Sequence, residues 1–280
     1  MDKRKLIQFF SMLIYNADVK GFVTGTVSRS KLKNICVPGL NCYSCPGAVA
    51  SCPLGALQNS IGGGRFPFFV TGFLLLIGVL IGRAVCAFLC PFGLIQELLY
   101  KIPSPKLKKN TVTRKLSLLK YPVLFILVIA LPFILFLTNG IGLPAFCAFL
   151  CPAGTLEAGW PLVLLNTAFR EIIGFLFYWK SAILVALIAA SVFIFRPFCR
   201  FLCPLGAIYS FFNSFAVFGV TLDKDTCIHC RKCTDNCKMD TVVVNDHECI
   251  RCGECVKGCP VNALNSCGRK KLPEKEKKNE

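Results

Sequence analysis

Two runs of cysteine near the carboxyl end of the chain have the spacing of iron–sulfur ligands. The runs are Cys227-x2-Cys230-x2-Cys233-x3-Cys237 and Cys249-x2-Cys252-x2-Cys255-x3-Cys259-Pro260. Each [4Fe–4S] cube needs four thiolates, and in runs of this kind the fourth cysteine binds the cube of the other run. Zinc usually takes two separated pairs of ligands, so we expect two cubes. Their ligands would be Cys227, Cys230, Cys233 and Cys259 for one cube, and Cys249, Cys252, Cys255 and Cys237 for the other.

A second cysteine pattern, Cys-x3-Cys-Pro-x-Gly, is repeated in the apolar part of the chain. Its three full copies are Cys86 with Cys90, Cys147 with Cys151, and Cys199 with Cys203. A partial copy, Cys52-Pro-Leu-Gly, has Ala48 in place of its first cysteine. Two cysteines four residues apart share one side of a helical turn, and the proline favours a chain break followed by a new helix. Each second cysteine would then lie at a helix N-terminus, where the dipole favours a thiolate.

The segments between these motifs are apolar enough to cross a membrane. The chain is 54% hydrophobic, and a helical span needs about 20 apolar residues. We predict spans at 66–82, 121–138 and 177–195, while a crossing by residues 6–27 stays open. The net charge is +17, and seven basic residues lie in the loop 101–120. By the positive-inside rule this loop is cytoplasmic. The basic residues thus indicate orientation in a lipid membrane, and we expect no nucleic-acid partner.

This orientation sorts the cysteines of the apolar part by side. On the cytoplasmic side, a third cluster would be held by Cys86, Cys90, Cys199 and Cys203. On the outer side, we expect a fourth cluster to be held by Cys147, Cys151, Cys52 and Cys45. Cys36 and Cys42 would then be free to form a redox-active pair. The spacing Cys42-x2-Cys45 allows a rival pairing with Cys36 as a ligand, and a static disulfide or free thiols are equally open.

The composition changes along the chain divide it into four regions. Residues 1–35 are an amphipathic N-terminal segment, and residues 36–220 are an α-helical integral membrane domain with the Cys-Pro sites. Residues 221–267 are a C-terminal α+β two-cluster bacterial ferredoxin domain, and residues 268–280 are a charged tail.

These motifs resemble those of the NapH/NosR-like membrane polyferredoxins, which accompany extracytoplasmic reductases. The shared features are Cys-x3-Cys-Pro sites at the ends of spans and the C-terminal ferredoxin domain. The loop from Asn41 to Pro46, with Cys42 and Cys45, resembles a clostridial-type subgroup. The third full Cys-x3-Cys-Pro copy departs from the family pattern. The resemblance implies electron relay along or across a membrane.

We therefore expect a multi-pass protein of the cell membrane with a cytoplasmic ferredoxin domain and four [4Fe–4S] clusters, two in each domain. Electrons would come from a low-potential cytoplasmic donor of the ferredoxin or flavodoxin type. They would leave to an extracytoplasmic acceptor, which would be a reductase, a flavoprotein or a thioredoxin-like protein. Two alternatives stay open: a membrane disulfide reductase that uses spare outer thiols, and a redox-sensing or assembly subunit. Whether the chain is an enzyme or an electron-transfer subunit also stays open.

Overall fold

A computed structural model describes residues 3–28, 31–107, 109–171, 173–239 and 241–269, and most of them are helical. In chain order the α-helices are α1 (Lys3–Tyr15), α2 (Lys20–Thr24), α3 (Pro53–Gly62), α4 (Phe68–Leu80), α5 (Ala84–Phe88), α6 (Pro91–Leu99), α7 (Thr111–Leu116), α8 (Lys120–Val123), α9 (Leu131–Asn139), α10 (Ala145–Phe149), α11 (Pro152–Gly154), α12 (Trp160–Leu165), α13 (Thr167–Glu171), α14 (Phe175–Phe193), α15 (Pro197–Phe201), α16 (Pro204–Phe212), α17 (Lys232–Asp235) and α18 (Glu254–Lys257). Short 3-10 helices cover Lys31–Asn34 and Ser117–Leu119, and π-helical turns cover Leu124–Ala130 and Thr155–Gly159. The strands are β1 (Phe218–Leu222) and β2 (Leu264–Arg269). The predicted charged tail lies, from residue 270 onward, outside the described residues.

Four helices begin directly after a cysteine–proline step. The cysteine before each proline is extended, with ψ of 129°, 114°, 111° and 113° at Cys52, Cys90, Cys151 and Cys203. A following proline disfavours the α region at these positions. The proline then occupies the first helical turn, where its missing N–H costs no hydrogen bond. This confirms the chain break that the repeated motif predicts and places the four cysteines at the start of α3, α6, α11 and α16.

Two helices in the described part of the chain are long and apolar enough to cross a membrane. One runs from Thr111 to Asn139 through α7, α8 and α9, and the other is α14. They correspond to the predicted spans 121–138 and 177–195. The third predicted span is shorter, because α4 has only 13 residues and so rises about 20 Å. Pro67 precedes this helix, and Gly82, with a φ of 54°, turns the chain just beyond its end.

Both long helices expose most of their apolar surface. In the most apolar stretch of each helix, only 17% of the residues of the first helix and 11% of those of α14 are buried. Large side chains such as Phe125, Ile129 and Phe133 are exposed on the first helix. The core helix of a soluble protein would bury its apolar residues, so these faces need an apolar environment outside the chain.

The N-terminal segment is broken into two short helices, so no single described helix covers residues 6–27. α1 ends at Tyr15, and α2 begins at Lys20. α1 packs against α5 and α6. Its fully buried Gln8 donates to the backbone carbonyls of Cys86 and Cys90 at 3.3 and 3.2 Å. This segment therefore supports the loop between the cysteines of one motif.

The C-terminal part is a small α+β unit. β1 and β2 pair antiparallel, with Phe218 opposite Arg269 and Leu222 opposite Leu264. The chain between them contains α17, α18 and both ferredoxin-type cysteine runs. The predicted combination of a helical part and an α+β ferredoxin unit agrees with this architecture, although the strand pair begins three residues before the predicted boundary at 221.

The α+β unit packs on the helical part through buried charges. Glu248 pairs with Arg83 at 2.8 Å and with Lys120, and both cationic side chains are fully buried. Asn213, just after α16, donates to the backbone carbonyl of Cys249 at 2.8 Å. Because an unpaired buried charge is costly, this ion cluster fixes how the two parts sit together.

Candidate metal centres

Four buried thiols from α5, α6, α15 and α16 form what we call the first thiol set. Its members are Cys86, Cys90, Cys199 and Cys203, each between 4% and 6% exposed. The first cysteine of each motif lies within a short helix, and the second caps the helix that follows. The sequence predicts this grouping, and the structure places the four thiols together.

The electrostatics of the first thiol set show how close its members are. Burial raises the pKa of Cys90 to about 12, and the Cys199 and Cys86 thiolates add to the rise. Burial and then Cys199, Cys86 and Cys90 raise the pKa of Cys203 well above its ordinary value. Buried thiolates that repel one another need compensating positive charge, and the irons of a cluster supply it. The set therefore fits a [4Fe–4S] cube in number, donor type and environment.

A glutamine of α6 reaches across the first thiol set. Gln96, six residues after Cys90, donates from Nε2 to Sγ of Cys199 at 3.1 Å. Its Oε1 accepts the backbone N–H of Phe198 at 3.1 Å, so both ends of the buried amide are satisfied. Hydrogen bonds to ligand sulfurs are one way in which a protein sets the potential of a cluster. Gln96 is thus a site residue that the sequence analysis missed.

A second group of thiols lies where α3 and α11 begin. Cys52 and Cys151 precede their prolines, and Cys147 lies in α10. Burial raises the pKa of Cys147, and the thiolates of Cys151, Cys52 and Cys42 add to that rise. We call Cys52, Cys147 and Cys151 the second thiol set. Cys42 is its neighbour.

Cys45, the predicted fourth ligand of the outer cluster, packs beside Cys42 and Ala48. Its Sγ donates to the backbone carbonyl of Glu157 at 3.3 Å, and its side chain packs with Ala48. A turn, closed by the Cys45 N–H on the Cys42 carbonyl at 3.1 Å, carries Cys45 away toward Ala48. These contacts do not include a thiol of the partial copy, and the role of Cys45 as fourth ligand stays a prediction.

Cys36 and Cys42, the predicted redox pair, are both free thiols in the structure. Cys36 forms a β-bridge with Ser51 and is 5% exposed. Burial raises the pKa of Cys36, with no contribution from another described cysteine. The described residues therefore do not join these two thiols.

The second thiol set repeats the glutamine of the first. Gln58, six residues after Cys52, donates to Sγ of Cys147 at 3.2 Å and accepts the backbone N–H of Phe146 at 2.9 Å. Gln58 and Gln96 thus have the same place in their motifs and the same two kinds of partner. Both sets are built on one plan, in which the glutamine of one motif holds the first cysteine of the motif that pairs with it.

The same position is polar in the other two motifs, where it holds the loop 36–45. Glu157 accepts the backbone N–H of Cys42 on Oε2 at 2.7 Å. Burial raises the pKa of Glu157 to about 7, although this hydrogen bond opposes the rise. Tyr209 donates from its hydroxyl to the carbonyl of Pro38 at 2.9 Å.

Two adjacent residues of this loop interact with thiols of both groups. The backbone amide of Leu40 interacts with the Cys90 thiol and opposes the rise in pKa that burial causes there. The amide of the next residue, Asn41, acts in the same way on the Cys52 thiol, whose pKa burial raises to about 12. Since consecutive Cα atoms are about 3.8 Å apart, the two thiols lie within roughly 12 Å of each other. Burial and then thiols of both groups raise the pKa of Tyr209, which is fully buried between them.

A cavity of about 140 Å³ lies between the α+β unit and the helices. Four of its lining cysteines, which we call the cavity set, are Cys237, Cys249, Cys252 and Cys255. Cys233, which the sequence assigns to the other ferredoxin cube, also lines the cavity. Burial raises the pKa of Cys255 to about 12, and the thiolates of Cys249, Cys252 and Cys237 add to the rise. The structure thus places together the four thiols that the sequence assigns to one ferredoxin cube.

The opposite wall of the cavity is charged. Arg4 pairs with Glu97 at 2.8 Å, and Glu97 pairs with the fully buried Arg196 at 2.8 Å. Arg196 donates in turn to the backbone carbonyl of Cys86 at 2.6 Å. Successive ion pairs from Arg4 through Glu97 to Arg196 therefore connect the cavity wall to the first thiol set.

The two ferredoxin-type loops share a backbone pattern. His229 and Arg251, each two residues after the first cysteine of its run, both have a φ of 53°. Arg231 and Gly253, each after the second cysteine, have φ values of 59° and 80°. The other predicted ferredoxin ligands, which we call the surface set, are the exposed Cys230 and the partly exposed Cys227, Cys233 and Cys259.

A single metal ion needs several side chains that converge on one point. Among the described residues, no three His, Cys, Asp or Glu side chains converge on one point as the ligands of a single ion do. In a cubane cluster each thiolate binds a different iron, so the sulfurs surround a cube.

Comparison with known proteins agrees with this assignment. A family model described as a 4Fe-4S binding domain matches residues 64–110, 122–161 and 176–221, and another model of the same description matches 242–265. Each of the first three stretches contains one full Cys-x3-Cys-Pro copy. The chain is 26% identical over 197 residues to YccM of Escherichia coli, which is named for electron transport, and 28% identical over 174 residues to the regulatory protein NosR of Stutzerimonas stutzeri. The chain is a NapH/NosR-like polyferredoxin. These matches confirm the resemblance to this family that the motifs indicate.

The polyferredoxin covers only part of its relatives. The matches to YccM and NosR include 66% and 59% of the chain, but 52% and 21% of the relatives. An uncharacterized protein of Methanocaldococcus jannaschii is 29% identical over 172 residues, which are 59% of the chain and 55% of that protein. The chain thus spans about half, or less, of the length of these curated relatives. No solved structure matches it. Its place in a clostridial-type subgroup stays a prediction.

Proposed function

We propose that this polyferredoxin spans a membrane and relays electrons from a cytoplasmic low-potential donor to an extracytoplasmic acceptor. The observation that carries the proposal is the unbroken succession of cysteine sets: surface set, cavity set, first thiol set and second thiol set. Four [4Fe–4S] clusters, when bound there, would supply one-electron chemistry. The chain itself would hold them in order.

The surface set suits the entry of electrons. Cys230 is exposed, and the exposed Arg231 and Lys232 follow it directly. Complementary charge steers the encounter of two proteins, and the net charge of the chain is +17. We therefore favour an acidic donor of the ferredoxin or flavodoxin type.

The charged wall of the cavity links the cavity set to the first thiol set. Arg4 donates to the carbonyl of Ala87 at 3.2 Å, and Arg196 donates to that of Cys86 at 2.6 Å. Glu97 pairs with both arginines and compensates their buried charge. These contacts hold the charged wall of the cavity against α5. The ion pair between Glu248 and Arg83 holds the α+β unit against the helical part.

The loop 36–45 lies between the first and second thiol sets, where an electron would pass from one cluster to the next. Because the adjacent backbone amides of Leu40 and Asn41 interact with the Cys90 and Cys52 thiols respectively, the two sites are far closer than the ~30 Å thickness of the hydrocarbon core. Electron transfer weakens steeply with distance, so this closeness favours direct passage. Tyr209, which donates to the carbonyl of Pro38, is fully buried and interacts with thiols of both sites.

Three features support a multi-pass placement in lipid. The helix from Thr111 to Asn139 and α14 are long, apolar and largely exposed on their apolar faces. The basic loop 101–120 favours the cytoplasm by the positive-inside rule. The α+β unit contacts that loop, since Lys109 donates to the backbone carbonyl of Thr234 at 2.8 Å, so it would share the same side.

A relay is favoured over a disulfide reductase by the placement of the predicted redox pair. Cys42 is partly exposed, but the described residues do not join it to Cys36. Cys36 itself is 5% exposed, whereas thiol–disulfide exchange requires access of the partner to the sulfur. A redox-sensing or assembly subunit would need no continuous succession of cysteine sets.

The proposal is tested by counting iron and acid-labile sulfide in protein purified without oxygen. Four cubes predict about sixteen irons per chain, with EPR signals from four reduced clusters. About eight irons, with signals from ferredoxin-type clusters alone, would contradict the relay through the membrane part. A Cys36→Ser variant is the matched control and should keep the full count.

A further inference from the structure

The second thiol set has three cysteines where a cube needs four. The other copies of the motif have a cysteine four residues before the Cys-Pro step, but here that position is Ala48. Ala48 is fully buried and packs with Cys45 and Ala158. A fourth ligand must therefore come from outside the repeat.

Cys42 lies at the place where this ligand is missing. A Cβ atom built on Gly154, in the first turn after Cys151, would be 3.3 Å from Sγ of Cys42. The Cys42 thiol therefore lies against the start of α11, beside the ligand that precedes it. The thiolates of Cys42 and Cys151 interact, as do those of Cys42 and Cys147.

Cys42 is held in this position by its own backbone. Its N–H donates to Oε2 of Glu157 at 2.7 Å, and its carbonyl accepts the N–H of Cys45 at 3.1 Å. Glu157 occupies the motif position at which Gln58 and Gln96 hold other ligand cysteines. At this motif position, the side-chain oxygen of Glu157 accepts a backbone N–H, as the side-chain oxygens of Gln58 and Gln96 do.

Cys45 is unsuited to the role. Its Sγ donates a hydrogen bond to the carbonyl of Glu157 at 3.3 Å, and a donor thiol keeps its proton, whereas a metal ligand must be deprotonated. It lies in an apolar cluster with Ala48 and Ala158, against which Phe22 and Cys42 pack from outside.

We propose that Cys42 completes the second thiol set and that Cys42, Cys52, Cys147 and Cys151 hold one [4Fe–4S] cluster. This inference rests on the proposed function, because it assumes that the membrane part binds clusters. It removes Cys42 from the thiols available for disulfide chemistry and leaves Cys36 and Cys45 as the spare thiols of the loop.

The test compares Cys42→Ala with Cys45→Ala in full-length protein purified without oxygen. Cys42→Ala should lose up to about four irons per chain and one membrane-site EPR signal, while the signals of the ferredoxin-type clusters remain. Cys45→Ala should keep the wild-type count and spectrum. Full iron and an unchanged spectrum in Cys42→Ala, or loss of that signal in Cys45→Ala, would overturn the inference. If wild-type protein itself has only about eight irons, the proposed function fails instead.

Two variants that keep every cysteine test the same inference if Cys42→Ala does not fold. Gly154→Ala should displace the Cys42 sulfur by a few tenths of an ångström and shift the EPR signal of the second thiol set, with iron retained. Gly159→Ala, whose added Cβ meets only ordinary contacts at 3.7 Å or more, is the control and should shift nothing. An identical spectrum in both variants would contradict the placement of Cys42.

Discussion

Replacing Gln96 with leucine should lower the reduction potential of the cluster on the first thiol set. Leucine keeps most of the side-chain volume but removes the N–H that points at Sγ of Cys199 at 3.1 Å. Reduction adds negative charge to the cluster and its sulfurs, and the buried amide donor stabilises that charge. Without the donor the reduced state loses more stabilisation than the oxidised state, so the potential falls.

The size of the shift follows from the strength of the lost bond. A hydrogen bond to a charged group contributes about 1.5–3 kcal/mol, but only the part that is gained on reduction changes the potential. If this part is about 1 kcal/mol, the potential falls by about 40 mV, since 59 mV corresponds to a tenfold change for one electron. The backbone N–H of Phe198 also loses its acceptor, which costs about 1–3 kcal/mol of stability but does not depend on oxidation state.

The assay is a potentiometric titration followed by EPR, with Gln58→Leu as the matched control. Gln58 makes the equivalent bond to Cys147 at 3.2 Å, so its replacement should lower the midpoint of the second thiol set and leave the first unchanged. An unchanged or raised midpoint in Gln96→Leu would refute the reasoning. So would a common shift of the same signal in both variants.

Further outcomes follow from the same contacts. Replacing either Cys86 or Cys203 with serine should remove one and the same EPR species, and loss of two different species would show that they bind different clusters. Glu248→Gln should loosen the α+β unit by about 3–5 kcal/mol, because two buried cations lose their partner; hydrogen exchange at the interface measures this. The exposed Glu254→Gln is its control, since a surface ion pair contributes little, and equal exchange in both variants would refute the role of the ion cluster. A reporter fused to the C-terminus should be active in the cytoplasm, and activity only outside the cell would reverse the orientation of the relay.

Local covalent rules explain what could be predicted from the sequence. The Cys-Pro step sets an extended cysteine followed by a helix start wherever it occurs, and the structure confirms this at Cys52, Cys90, Cys151 and Cys203. The spacing of the ferredoxin-type runs identifies cluster ligands because four thiolates must surround one cube. Neither inference needs knowledge of the tertiary fold.

Residues that act across motifs could not be assigned in this way. Gln58 and Gln96 are visible as polar residues in apolar helices, but their partners are known only once the motifs are paired in space. A signal was present, since the sixth residue after each Cys-Pro cysteine is polar in all four copies, with Glu157 and Tyr209 in the others. Comparing the copies position by position would have found it.

Distances between elements that are far apart in the chain could not be predicted from the sequence either. Charge patterning predicts two groups of thiols on opposite sides of a membrane, but adjacent backbone amides of the loop 36–45 interact with thiols of both groups. The choice of Cys45 rested on its nearness to Ala48 in the chain, whereas a turn leaves Cys42 beside the thiols. The short α4 likewise results from Pro67 and Gly82, which limit a stretch whose hydropathy alone favours a longer helix.

The most direct test of the relay is rapid-freeze EPR of the anaerobic protein in vesicles, with a low-potential donor added on the side of the α+β unit. The account predicts that the signals of the surface and cavity sets appear first and those of the first and second thiol sets follow. The same experiment in Cys86→Ser should leave the second thiol set oxidised. Reduction confined to the ferredoxin-type clusters in wild-type protein, or reduction of the second thiol set at an undiminished rate in Cys86→Ser, would contradict it.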